Sequence, residues 1–300
     1  MRLRLAFLAA ALVATPAFAN YEKGMQALGR GDVATGLREL RTAAEAGDQR
    51  AYAPLARAQL VAAKSVQDLR AAREWGAKAA AAGVADAQYV VYAATVSLPE
   101  LNYFDAQGKL DAQRYKALAA RPIADREDEM TAYDMLGKAA QQNHAEAAIA
   151  LAGYYADNVG DGNRGRSIAL LDKAAKRPPV FDDLRKRLGG IEALGPTLAT
   201  VRFFDDAVAA GRPAAVAAAA EKDRTKKDCT TVKPLKVQRL GPIEKAVWLP
   251  LAAPEMRQSY LMQGNWREIW TFDVCGAETG VILTFTADGL GGATVAAPKP

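Results

Sequence analysis

Histidine occurs once in the 300 residues, at His144. A Ser-His-Asp triad or a multi-histidine metal site would have to be built on that residue, which follows Asn143 at an expected helix start and reads as an exposed capping residue. Cysteine occurs twice, at Cys229 and Cys275, with no C-x-x-C spacing, so redox catalysis and zinc binding have little support. A strong charge of one sign is missing too. The 39 basic side chains are interleaved with 34 acidic ones for a formal net charge of +5, a balance that favours solubility and leaves no footprint for nucleic acid. After Val13 no run is long and apolar enough for a membrane span, which takes roughly 20 residues.

The first residues have a character of their own. Arg2 and Arg4 give a positive start, Leu5 to Val13 is apolar, and Pro16 precedes the small-residue pattern Ala17-Phe18-Ala19. That order predicts a secretory signal peptide over residues 1–19, cleaved between Ala19 and Asn20. No cysteine lies near the cut, so a cysteine-linked lipid anchor is not expected. The mature chain is expected to be soluble, periplasmic or secreted, with its charge reduced to +3 by the loss of the two arginines. In an oxidising compartment Cys229 and Cys275 read as a disulfide. Closing a loop of about 45 residues would stabilise the fold by about 3–4 kcal/mol.

Composition divides the mature chain. Residues 20–222 are rich in alanine, the best helix former. Residues 223–300 gather Val, Ile, Thr, Trp and Phe between Gly and Pro, which is strand chemistry. The helical part repeats itself. Lys78-Ala79-Ala80 precedes Gly83, with Ala87 and Val91 after it. Ala43-Ala44 precedes Gly47, with Ala51 and Leu55 after it. Lys138-Ala139-Ala140 precedes Asn143, with Ala147 and Leu151 after it. A fourth copy of the step, Leu170 to Pro179, breaks near Arg177. The first step is about 36 residues and the last about 34, the range of two-helix repeats. In the first three copies Gly or Asn supplies the left-handed residue that ends a helix. Small residues at i and i+4 then open the next one, and Trp75, Met135 and Leu170 share an expected core slot.

The spacing Ala-x-x-Trp-x-x-Lys-Ala-Ala-x-x-Gly-x-x-x-Ala, clearest in "AREWGAKAAAAGVADAQ", resembles the Sel-one-like repeat, a relative of the tetratricopeptide repeat, over about Tyr21 to Pro178. The resemblance implies a mainly α fold, a right-handed α-solenoid of antiparallel helix pairs that binds other proteins. Such repeats in bacteria resemble adaptor and assembly proteins of the envelope. Departures are the short inter-helix loop Ala62 to Asp68, Tyr92 where the family prefers glycine, and a long insertion, residues 98–126, expected to hold one helix over Asp111 to Ala120. Residues 180–221 read as two or three capping helices with breaks at Gly189-Gly190, Gly195-Pro196 and Gly211–Pro213.

The last part alternates. Trp266, Glu268, Trp270, Phe272 and Val274 fall on one face, Arg267, Ile269, Thr271, Asp273 and Cys275 on the other, and a loop over Gly276 to Gly280 leads to a second strand starting at Thr279. Cys229 to Leu240, Lys245 to Leu251 and Gly291 to Ala297 supply three more strands, giving a small antiparallel β domain.

Chemistry is sparse. "DNVGDGNRG" offers Val159 and Ile168 where a calcium loop needs its third ligand and its bidentate Glu, so it reads as a Gly-rich turn. The carboxylates of "DREDEM", Asp125 to Met130, suit a helix start. "ADGLGGA", Ala287 to Ala293, lacks the Lys and following helix of a phosphate loop and reads as a hairpin turn. "KDRTKK" reads as a solvated linker with a weak contact to an anionic envelope polymer as its other use. No catalytic, metal-binding or cofactor-binding residues are assigned. In the insertion, Leu98, Leu101, Tyr103 and Phe104 collect beside a turn. They are either partner-binding anchors, with Leu101, Tyr103 and Phe104 as the candidates, or packing against a neighbouring repeat. The expected function is a non-enzymatic exported adaptor that binds a protein of the cell envelope. An inhibitor or regulator of an envelope enzyme is the alternative, and a cell-wall hydrolase a weaker one.

Overall fold

The computed structural model describes residues 16–105, 107, 109–174 and 178–298. Its contacts divide the chain into two units, Met1–Ala94 and Thr95–Pro300. Met1 to Thr15 of the expected signal segment, and the helix end expected near Arg177, lie outside the described residues. Ala19 and Asn20 lie within the first helix, α1 (Pro16–Gly29).

In the first unit, α1 is followed by α2 (Val33–Glu45), α3 (Tyr52–Ala62), α4 (Val66–Ala80) and most of α5 (Ala85–Val96). Three of these helices stop by the same device. Gly31, Gly47 and Gly83 have φ of 80°, 89° and 82°. The next amide then reaches back to the carbonyl of Ala27, Ala43 and Ala79 at 2.9, 3.0 and 3.4 Å. A left-handed residue satisfies carbonyls that a helix end otherwise leaves open, and glycine takes that backbone without a Cβ penalty. Helix starts are fixed as locally. Ser65 and Asp68 form a capping box at α4, and Asp32 accepts from Thr35 N at 3.1 Å.

Alanine decides the packing of this unit. Leu40, Ala43, Ala44, Ala51 and Leu55 form one buried cluster, and Ala56, Ala72, Val90 and Ala94 form another. The slot expected to be core is only half-buried at Trp75, at Met135 and at Leu170. Small residues such as Ala72 and Ala79 take the deep positions, the helices close on them, and the large side chain is left at the seam. There Trp75 stacks near Tyr52, with the Lys78 ammonium 3.7 Å from its ring centre.

The second unit is mainly helical, with an antiparallel sheet at its end. The insertion holds α6 (Ala112–Ala119), one residue shorter at each end than expected, with Asp111 as its N-cap. Then come α7 (Glu127–Gln141), α8 (Ala145–Asp157), α9 (Asn163–Lys173), α10 (Val180–Glu192) and α11 (Phe204–Lys222). Asn143 ends α7 with φ 61°, and His144 N reaches back to Ala139 O at 3.2 Å, the same device as the glycine caps. Ala152 and Ala156 of α8, Leu171 of α9 and Leu188 of α10 share a core.

Five strands follow: β1 (Val232–Arg239), β2 (Glu244–Trp248), β3 (Leu261–Val274), β4 (Ala277–Ala287) and β5 (Ala293–Ala296). The order is β1-β3-β4-β5, with β2 also paired to β3. Pro234 sits at a register shift on edge strand β1, where a missing N–H is tolerated. The loop expected over Gly276 to Gly280 is a two-residue turn instead. Cys275 and Gly276 both have positive φ, 48° and 85°, the geometry whose twist matches antiparallel strands. The usual Asn-Gly signal is absent, so the sequence suggested a longer loop. Cys275 is bonded to Cys229 with Cα atoms 6.0 Å apart.

The boundary expected at Lys222/Asp223 does not separate two cores. Ala207, Val208, Ala214, Ala215 and Ala219 of α11 share a core with Trp270, Phe272 and Leu283 of the sheet. One face of a sheet must be covered, and α11 covers this one. The break expected at Gly211–Pro213 is absent for the same reason. A Cβ on Gly211 would lie 2.6 Å from Phe272 Cζ, so the glycine permits close helix–sheet approach inside an unbroken helix. Gly189-Gly190 lies within α10. Gly195, with φ 106°, is the one of the three expected breaks that interrupts the chain.

Candidate partner-binding groove

Residues 98–126 build the groove from local interactions. Leu98 is fully buried and fixes the entry, and a 3-10 turn spans Pro99–Leu101. The chain then doubles back. Asp111 N bonds Tyr103 O at 2.8 Å, Asp105 N bonds Lys109 O at 2.8 Å, and Phe104 bridges Leu110. The Asp105 carboxylate accepts from Gln107 N at 2.9 Å and from Lys109 N at 2.8 Å, which closes the tip. The result is a short finger whose paired apolar side chains, Phe104 and Leu110, are 44% and 49% exposed.

The base of the finger is held from two sides. Arg126, 1% exposed, donates from Nη2 to Leu118 O at 2.7 Å, at the C-terminal end of α6, and its Nη1 lies 3.3 Å from Glu129 Oε2. Glu129 also accepts from Tyr260 OH at 3.1 Å. Burial, then the neighbouring Glu129 charge, pushes the Tyr260 hydroxyl pKa well up. The carboxylate run at the start of α7 is thus split: Glu127 and Asp128 are exposed in the first turn, while Glu129 turns inward. On the other side Tyr115 OH donates to Asp288 Oδ2 at 2.6 Å, and the Arg202 guanidinium lies 3.1 Å from the same oxygen. Arg202 also donates to Leu290 O at 2.6 Å. Tyr103 packs edge-on against Tyr115. Desolvation raises the hydroxyl pKa of both Tyr103 and Tyr115, and the Asp288 hydrogen bond adds to it at Tyr115.

Asp288 stands in the turn between β4 and β5, the "ADGLGGA" stretch. Its Oδ1 accepts from Leu290 N at 2.7 Å and Gly292 N at 2.9 Å. The glycines of this turn serve close approach: a Cβ on Gly289 would lie 2.6 Å from Ala119 O. The "DNVGDGNRG" turn seats beside it, with Val159 N bonded to Gly291 O at 2.7 Å.

Between finger, turn and the start of α11 lies an open groove of about 500 Å³. Tyr103, Phe104 and Leu110 form one wall, and Asp157, Arg187 and Asp206 add polar side chains to the lining. Asp157 is exposed by surface area and lines the groove, yet neighbouring protein crowds its carboxylate. That setting desolvates the carboxylate and raises its pKa, and Arg202 and Arg187 pull it partly back.

The three candidate anchors therefore divide. Phe104 is exposed on the finger, Tyr103 is half-buried beneath it, and Leu101 is half-buried in the turn before it. Trp266 and Trp270 are buried in the sheet core. Between them Glu268, fully buried, accepts from Thr197 Oγ1 at 2.7 Å, Leu198 N at 2.7 Å, Trp266 Nε1 at 3.1 Å and Trp270 Nε1 at 2.9 Å. His144 is a half-buried N-cap whose Nδ1 accepts from Ala147 N at 3.2 Å. The "KDRTKK" segment runs from the last residue of α11 through a 3-10 turn over Arg224–Lys226, and its Lys226 donates to Cys275 O at 3.0 Å. Sequence reading did not find Tyr115, Asp157, Arg202 or Asp288, since they converge from four separate elements. Glu268 did carry a signal, as the one charge on the apolar face of its strand.

No protein-family model, curated protein or solved structure matches this chain.

Proposed function

We propose that this chain is an exported, non-enzymatic adaptor, and that the finger of the second unit is its recognition element for a protein of the cell envelope. One observation carries the reading. Phe104 and Leu110 are large, apolar, adjacent and exposed at the tip of an insertion whose base is fixed by Arg126, Tyr115 and Asp288. Ordering an exposed apolar tip is favourable for binding, because a rigid anchor loses little entropy on association.

Export is supported by the N-terminal pattern, by the Cys229–Cys275 bond, and by the absence of any membrane-crossing helix among the described residues. The left-handed caps at Gly47, Gly83 and Asn143 support reading the helices as degenerate Sel-one-like repeats. The test is site-specific cross-linking. A photoreactive amino acid at Phe104 should give a discrete adduct in envelope extract, and one at exposed Val61 should not give the same adduct. A structural protein in the adduct supports the adaptor, and a wall-synthesising or lytic enzyme turns the reading to a regulator. No adduct at Phe104, with one at Val61, contradicts the finger.

A further inference from the structure

We infer that the groove beside the finger accepts a basic side chain, lysine or arginine, flanked by an apolar residue of the partner. This rests on the finger being the recognition element and adds the chemistry that it reads.

The argument is one of unspent charge. Both guanidiniums at the groove are already engaged. Arg202 is held by Asp288, Tyr115 and Leu290 O. Arg187 is held by Asp205 at 3.0 Å and Val201 O at 3.2 Å. With Asp205 included, four carboxylates face two guanidiniums, and among the described residues Asp157 and Asp206 are the two with no ion pair. An anionic ligand would meet both of them, with no uncommitted cation among the described residues that line the groove. A cation meets two acceptors, one of which is partly desolvated and so gains more from a positive neighbour than a fully hydrated carboxylate does. The walls fit such a side chain. Exposed Phe104 offers apolar ring surface for the aliphatic stem of lysine or the plane of arginine, and Tyr103, whose ring already has the Arg202 guanidinium 5.7 Å from its centre, backs it with ring centres 4.8 Å apart. Phe104 and Leu110 stand at the rim, where the residue beside the basic one would rest.

The test uses the full mature chain and an end-blocked pentapeptide with one lysine between two leucines, followed by NMR titration. Saturable shifts at Tyr103, Asp157 and Arg202 are expected by about 1 mM peptide. The same peptide with glutamine for lysine should bind at least about tenfold more weakly, and so should the lysine peptide to an Asp157→Asn/Asp206→Asn variant. Equal binding of the two peptides overturns the inference, as does undiminished binding to a variant with a native spectrum. Shifts produced by an N-acetylglucosamine oligosaccharide but not by the lysine peptide also overturn it, in favour of a glycan. Failure here is separable from failure of the finger. If Phe104→Ser/Leu110→Ser abolishes partner capture while Asp157→Asn/Asp206→Asn leaves it intact, the finger stands and the basic-residue pocket falls. If the peptide binds as expected and the finger variant still captures the partner, the pocket stands and the finger falls.

Discussion

Tyr115 donates a 2.6 Å hydrogen bond to Asp288 across 173 residues of sequence. It ties the helix of the insertion to the turn between the last two strands, so the finger is supported by the sheet end of its unit. Tyr115→Phe removes that donor while Arg202 still compensates the carboxylate. The expected loss is about 1–2 kcal/mol in urea unfolding, the scale of a hydrogen bond to a charged group. Hydrogen exchange should quicken at residues 103–111 in particular. Unchanged exchange there would show that the finger does not depend on this bond.

Glu268 is a carboxylate with four donors and no access to water. Glu268→Gln exchanges one acceptor oxygen for an NH2 group that faces two of those donors. The expected cost is about 3 kcal/mol, because buried donors lose their acceptor and gain no solvent. Glu268→Ala should cost at least as much. Chemical denaturation measures both. A Gln variant as stable as the parent would mean that the cluster relaxes around a neutral group.

Asp157 predicts a pH effect of a definite sign. Its folded pKa is raised above the ordinary 3.8, by desolvation first. Between 3.8 and the raised value the folded chain holds a proton that the unfolded chain has released, so this group's contribution to stability falls as pH rises through that window. Above it the penalty is complete. Asp157→Asn should therefore raise the melting temperature at pH 7, and the gain should vanish as pH drops below about 3.8. A lower melting temperature at pH 7 would contradict the desolvated setting and show a structural role for the carboxylate.

Much of the fold was legible because its signals are local. Gly47, Gly83 and Asn143 announce helix ends by their own backbone preference, and Asp111 announces the start of α6. The alternation from Trp266 to Val274 placed every buried residue of that stretch on the correct face. What was missed depends on distant partners. Gly211 and Pro213 look like a helix break until Phe272 is seen to need the space. Composition groups α11 with the helices before it, because it has their alanine content, and cannot say that α11 covers the sheet. The groove was half legible: Tyr103 and Phe104 stood out as aromatics in a long insertion, whereas Asp157, Arg202 and Asp288 join them only in three dimensions.

Affinity for the cross-linked partner tests the central claim most directly, measured for the parent chain and for Phe104→Ser/Leu110→Ser alongside a melt of each. Both side chains are exposed, so the variant should melt as the parent does, while binding should weaken by about 2 kcal/mol or more, roughly thirtyfold. A variant that melts normally and binds with undiminished affinity would contradict the assignment of the finger as the recognition element.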